Sequence, residues 1–229
     1  MEDKKQTLWL ITTILTITAG YCDAITFVAA ERTFSAHITG NFIVFAYQMI
    51  QGGGGDTWVK LLTYPVFMLS VLTGGAIAAR SLNNHAMLFF EGIILLIGAV
   101  IAYAFSDIPN SSTTWPMYLV TMFIVFAMGI QNTFGKLFNK ETYGTTTMMT
   151  GNSTQLGIDI MGYFKTGVSR WQSLSTIFRD LISLAGFLTG CLLGAWAGKT
   201  LGLEGIFIPG FVLVICYYCR RIFTSEQTF

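Results

Sequence analysis

Charge is what this chain has least of. Only 11% of its 229 residues are Asp, Glu, Lys or Arg, against roughly 25% in a soluble globular domain. Hydrophobic residues make up 53%, so the polar surface of a water-soluble protein of this length cannot be built. A net charge of +1 excludes a basic face for nucleic acid. Histidine is scarcer still, with two in the whole chain, and the four cysteines offer no ligand set. Cys216 and Cys219 form a C-x-x-C on the last apolar run without a second pair, while Cys22 and Cys191 sit inside apolar runs, so zinc is not expected. No Walker loop, His-Glu-x-x-His or Ser-His-Asp arrangement is present. The sequence predicts no enzyme, no cofactor and no metal.

What is there is oil, in blocks. A membrane-spanning helix needs about 20 predominantly apolar residues. Six runs qualify: Leu8–Ala30, Leu61–Ala79, Ala86–Phe105, Met117–Phe138, Leu181–Gly198 and Leu203–Cys219. The first follows "MEDKKQT" and is too long for a cleaved signal segment, so it is read as a retained helix. The expectation is an all-α integral membrane protein, residues 1–229 forming a single membrane domain with the lipid bilayer as its surroundings.

Lys and Arg collect on the cytoplasmic side of membrane proteins. With six spans and the N-terminus inside, the inner face receives Lys4, Lys5, Arg80, Lys136, Lys140, Lys165, Arg170, Arg179, Arg220 and Arg221, ten in all, and the outer face three, Arg32, Lys60 and Lys199. Eight spans would give eight against five. Six spans with both termini cytoplasmic is the favoured topology. It puts the glycosylation pattern Asn110-Ser111-Ser112 outside.

The two halves repeat. "AGYCDAITF" answers to "MGIQNTF", with Gly20 opposite Gly129 and Asp23 opposite Asn132, at an offset of 109. Thr39-Gly40-Asn41 answers to Thr150-Gly151-Asn152 at 111, Leu72-Thr73-Gly74 to Leu188-Thr189-Gly190 at 116, and Glu91-Gly92-Ile93 to Glu204-Gly205-Ile206 at 113. Repeat 1 covers about 7–106 and repeat 2 about 117–222. Three spans per repeat force the second to enter from the opposite side, the inverted-repeat plan of many secondary transporters. The Thr-Gly-Asn segments, far too polar for this chain, are then expected as re-entrant or broken-helix pieces, because irregular backbone survives at membrane depth only when buried in protein or lining a cavity.

The residue types suggest the chemistry. Thr39 or Thr150 can cap a helix start, Gly40 and Gly151 admit close approach, and Asn41 and Asn152 offer donors and acceptors. The half-helix N-termini would face an anionic or carbonyl group, with Asn132 and Gln131 as further contacts. Capped helices packed in loops are the alternative. Asp23, deep in the first span, should face the interior and is the candidate proton-coupling carboxylate, packing against Thr26 or Tyr21 being the other reading. Asp159, Gln48 and His37 are secondary candidates. Glu91 and Glu204 begin spans and are read as helix-start caps. The small-residue ladders Gly186/Gly190/Gly194/Gly198 and Ser70/Gly74/Ala78 suit close helix contact, within the bundle in preference to a homodimer face. Pro209-Gly210 is expected to kink the last span.

The paired stretches "GYCDAITF…FSAHITGN" and "AMGIQNTF…TTTMMTGNSTQLG" resemble those of the YoaK-like membrane proteins, from about Gly20 to the last span. Gly20, Tyr21, Asp23, Ala24, Thr39, Gly40 and Asn41 match the first motifs, and Gly129, Gln131, Asn132, Thr150, Gly151 and Asn152 the later ones. The resemblance implies a bacterial inner-membrane protein of a family usually described as small-molecule transporters. The functional expectation is a secondary transporter of a small solute, anionic and proton-coupled in its sharpest form, with a midplane site between the two Thr-Gly-Asn ends. A passive channel and an accessory subunit that binds a partner protein are the alternatives.

Overall fold

In a computed structural model, residues 2–80, 84–106, 115–164 and 170–226 are described; the Asn110 pattern and Lys165 lie outside them. The chain forms helices α1 (Glu2–Ala29), α2 (Ile38–Ile50), α3 (Val59–Arg80), α4 (Ala86–Ala104), α5 (Trp115–Leu137), α6 (Met149–Phe164), α7 (Arg170–Thr200) and α8 (Phe207–Glu226). Short 3-10 turns, Gly55–Trp58 and Gly202–Ile206, lead into α3 and α8. No strand occurs among the described residues.

Six helical stretches are long and apolar enough to cross a membrane: Leu8–Ala29, Asp56–Arg80, Ala86–Ala104, Trp115–Leu137, Leu174–Thr200 and Gly202–Cys219. The other two helices carry Thr-Gly-Asn in their first turns. α2 has 13 residues and α6 has 16, about 20 and 24 Å at 1.5 Å per residue. Both fall short of the roughly 30 Å hydrocarbon core. Large apolar side chains such as Ile43, Leu72, Val100, Tyr103, Leu192 and Trp196 cover the outside, whereas Asp23, Asn41, Lys60, Glu91 and Gln131 are buried. A soluble protein distributes these the other way round. The chain is an integral membrane protein by that layout.

Glycine sets the closest contacts. Gly190 faces the Ile17 carbonyl, Gly194 the Tyr21 carbonyl and Gly198 the Ile25 backbone; a Cβ on Gly190 or Gly194 would stand 2.1 or 2.2 Å from those oxygens. The ladder is therefore a contact inside the bundle, where small residues let two backbones meet. Residue numbers rise together along this seam, so α1 and α7 are parallel. Gly129 meets Ser70 and Gly74 meets Thr133, and the Ser70 hydroxyl donates to the Phe126 carbonyl. Thus α3 and α5 are also parallel.

α4 and α8 run the other way: Phe89 stacks on Tyr217, Gly92 meets Val214, Gly210 meets Leu96 and Gly98 meets Ile206. This direction is informative. Eight alternating crossings would make α4 and α8 parallel. Six crossings, with α2 and α6 turning back, make them antiparallel and keep α1 parallel to α7 and α3 to α5. Pro209 lies in the first turn of α8, where its missing N–H has no intrahelical acceptor in any case. Pro209-Gly210 stand just after the change from 3-10 turn to α-helix at Phe207, inside the last span.

Candidate functional site

Two short bent segments, Phe34–His37 before α2 and Thr145–Met148 before α6, collect most of the polar residues picked out in the sequence. They are built alike. Asn41 donates from Nδ2 to the Phe34 carbonyl and accepts at Oδ1 from the Phe34 N–H, both at 2.8 Å. It also donates to Thr63 Oγ1 at 3.0 Å. Asn152 donates to the Thr145 carbonyl at 3.0 Å and lies 3.5 Å from Thr145 Oγ1. Each asparagine ties its helix to the residue seven positions earlier, from the first turn and from a buried position. The asparagines hold their own backbone.

Their threonine neighbours play no capping part. Thr39 and Thr150 lie second in α2 and α6 and are exposed; the residue before α2 is His37, without a side-chain capping bond. The expected threonine caps are displaced because both helices begin one residue before the Thr-Gly-Asn triplet. Gly40 sits under the Phe34 ring, 3.0 Å from where a Cβ would be, while Gly151 has nothing within 4 Å.

The segments differ in what fills their turns. Asp23, buried on α1, accepts at Oδ1 from the backbone N–H groups of Ser35 (2.8 Å), Ala36 (2.7 Å) and His37 (3.3 Å). Its Oδ2 is 2.5 Å from His37 Nδ1. Successive N–H groups converging on one oxygen form an anion-binding nest, and here the anion is internal. The Asp23 hydrogen bond raises the pKa of His37 above its ordinary 6.5, desolvation opposing it, and the Asp23 charge adds to the rise. His37 is a little over one-third exposed and gives the buried carboxylate a route to solvent.

At the equivalent place before α6 no carboxylate enters. The N–H groups of Thr146, Thr147 and Met148 have no acceptor among the described residues, and the Thr147 hydroxyl is buried without a partner. Asn132, which answers to Asp23 in the sequence, is half-buried and makes no side-chain hydrogen bond among the described residues. Gln131 instead reaches the segment: its Nε2 donates to the Leu15 carbonyl and to Thr146 Oγ1, both at 2.8 Å, and its Oε1 is buried and unpartnered. Buried polar atoms are normally paired; beside α6 the Gln131 Oε1 and the Thr147 hydroxyl are not.

Of the secondary candidates, His37 belongs to the Asp23 site, while Asp159 and Gln48 lie apart from these segments. Asp159 accepts from Gln155 at 2.9 Å on α6 and stands within electrostatic reach of Asp180 on α7. Gln48 is half-buried on α2 with its Oε1 unpartnered.

Two charged residues carry more than their sequence reading. Lys60, counted as an outer flank, is fully buried. Its Nζ donates to Thr33 Oγ1 at 2.6 Å, lies 4.0 Å from Glu31 and 6.0 Å from the Tyr118 ring centre. Tyr118 in turn donates to Glu31 at 2.7 Å, with Glu31 and Arg32 held at φ of 50° and 59°. This lysine ties α3 to the end of α1. Glu91 does not cap a helix start. α4 begins five residues earlier at Ala86, so Glu91 falls in the second turn, fully buried, with neither oxygen hydrogen-bonded. The apolar residues "AMLFF" ahead of it in the same run were the signal. Glu204 does sit in the first turn of the 3-10 segment that leads into α8.

A family model described as "protein of unknown function" matches residues 11–219. No curated protein and no solved structure matches the chain. With nine-tenths of its length inside that match, the chain belongs to the DUF1275 family of proteins of unknown function.

Proposed function

We propose that this protein is a secondary transporter of a small solute, built as two inverted repeats, and that the solute carries a carboxylate or a similar anionic group. It is read as a YoaK-like protein of the bacterial cytoplasmic membrane with both termini inside. Several observations support the repeat: like-numbered seams α1/α7 and α3/α5 are both parallel, α4 and α8 are antiparallel as mates across an in-plane two-fold must be, and both asparagine ties span seven residues. α2 and α6 are then short helices that enter the bilayer region from opposite sides and stop.

The single observation that carries the function is the pair of nests, one filled and one open. Asp23 demonstrates what the backbone before α2 binds: one carboxylate oxygen on three N–H groups. The matching groups at Thr146–Met148 present the same donors without an internal occupant. A solute carboxylate takes that place, with the Thr147 hydroxyl beside it and Gln131, Asn132 and Asn152 framing it. In this conformation the outer nest is shut by Asp23 and the inner one is available. Exchange of the two states moves the solute across. Asp23 and His37 couple that exchange to protons, because protonating Asp23 removes the charge that strengthens its three N–H bonds and so loosens the outer nest.

The test is a thermal-shift screen of the purified protein against pooled small carboxylates, phosphates and neutral metabolites, followed by counterflow in proteoliposomes. Ligand at 100 times its dissociation constant adds about 2.7 kcal/mol. A carboxylate hit that vanishes in Asn152→Ala, with saturable exchange whose pH dependence is lost in Asp23→Asn, is expected. Large unsaturable flux points instead to a channel, and a response to neutral solutes alone removes the anion site.

A further inference from the structure

Glu91 has no part in either nest. It lies one turn after Met87 and one turn before Leu95 on the inner face of α4, in a core made of Met87, Leu95, Ile130 and Cys22. None of its surface is exposed, and neither carboxyl oxygen has a hydrogen-bond partner. A partnerless carboxylate in such a place would bear the full desolvation penalty with nothing to offset it. The carboxyl must then be neutral or meet a cation.

The surroundings decide between these. The helices packed on α4 are α5, α8 with its leading turn, and, more lightly, α3. Their titratable or charged groups are Tyr118 and Lys136 on α5, Lys60, Tyr64 and Arg80 on α3, and, on the α8 side, Glu204, Cys216, Tyr217, Tyr218 and Cys219, with Arg220, Arg221 and Glu226 at its far end. None pairs with Glu91 among the described residues. From α1 the Cys22 thiol stands within electrostatic reach, with Asp23 beyond it. A metal-type cage is also missing: no group of three His, Cys, Asp or Glu side chains converges among the described residues. One carboxyl in apolar packing suits a proton and not a hydrated cation, which needs several oxygen ligands.

We propose that Glu91 is an intramembrane proton-binding site, occupied by a proton in this conformation. The O–H bond on one carboxyl oxygen forms when the site closes and breaks when the helices around it part, the proton passing to the water admitted. An exposed glutamate is ionised at neutral pH; the packing around Glu91 offers such a charge no partner. The inference does not depend on the carrier reading, because the carboxyl can be observed with no solute present.

Infrared difference spectroscopy on the purified full chain at neutral pH, wild type minus Glu91→Gln, tests it. A protonated-carboxyl C=O band that shifts in heavy water and is lost in the variant is expected, together with loss of little or no thermal stability, since the amide is close in shape to the neutral acid. Loss of carboxylate bands instead would mean an ionised Glu91 and would overturn the proposal. So would disappearance of the acid band on adding sodium or potassium, which would make this a cation site. Should the variant fail to fold, reaction of the unaltered chain with dicyclohexylcarbodiimide, which adds a protonated carboxyl across its C=N bond, replaces it. An adduct mapped to Glu91 at neutral pH supports the proton site, and a chain recovered without one counts against it. Failure of both this and the solute screen, or of only one, separates the proton site from the transport reading.

Discussion

The segments before α2 and α6 share a frame and differ in chemistry. Both bend for a few residues, both enter a short helix at a Thr-Gly-Asn turn, and both are tied back by asparagine over seven residues. The first is closed by a charged pair, Asp23 and His37, that takes up its N–H groups. The second is braced by neutral Gln131 and leaves those groups open. The lesson is that two segments with the same Thr-Gly-Asn frame need not share a state: Asp23 on α1 takes up the N–H groups before α2, whereas Asn132, its counterpart in the sequence, leaves the segment before α6 without a carboxylate.

The largest effect should come from stripping the filled nest. Asp23→Ala leaves three N–H groups and His37 without their acceptor in a buried place, a loss of about 3–5 kcal/mol for one partner of a buried pair. Gln131→Ala removes neutral bonds only and should cost about 1–3 kcal/mol. Unfolding in detergent measures both, and equal losses would break the comparison.

Next come the ties. Asn41 makes three bonds of 3.0 Å or shorter, Asn152 one. Asn41→Ala should therefore cost about 2–3 kcal/mol and Asn152→Ala about 1 kcal/mol. The reverse order would mean that the α6 segment is the more rigid one.

A pH series sharpens the contrast further. His37 has its pKa raised by Asp23, so the pair contributes in full below the ordinary value of 6.5 and is lost as pH rises through the raised one. Thiol reactivity at Ala36→Cys should increase across that interval, while Thr147→Cys, its counterpart beside neutral partners, stays flat. The smallest expected effect is Thr63→Val, which takes one of three partners from Asn41 and should cost about 0.5–1.5 kcal/mol. A larger loss would give Thr63 a role beyond supporting Asn41.

The six apolar helices were legible in the sequence because a bilayer demands long unbroken runs, and so were the two polar segments, which interrupt those runs. Register within a run was not. Glu91 read as an end cap because glutamate commonly stands near helix starts, although the run begins at Ala86 in sequence and structure alike and so carries it inward by more than a turn. Lys60 read as a flank because it borders an apolar run, though the fold returns the end of α1 over it. The state of the nests was hidden for another reason. Asn41 and Asn152 look alike as residues, and what separates their segments is which side chain the preceding helix turns toward each, Asp23 from α1 or Gln131 from α5.

The inverted arrangement underlies the account, and side-specific labelling reaches it most directly. In a chain whose four native cysteines have been replaced, Arg32→Cys and Lys140→Cys place one thiol on each exposed turn beside a nest. A membrane-impermeant maleimide applied to intact cells should modify Arg32→Cys and spare Lys140→Cys until the membrane is opened. Modification of both from the same side would contradict the inverted repeat, and the paired nests with it.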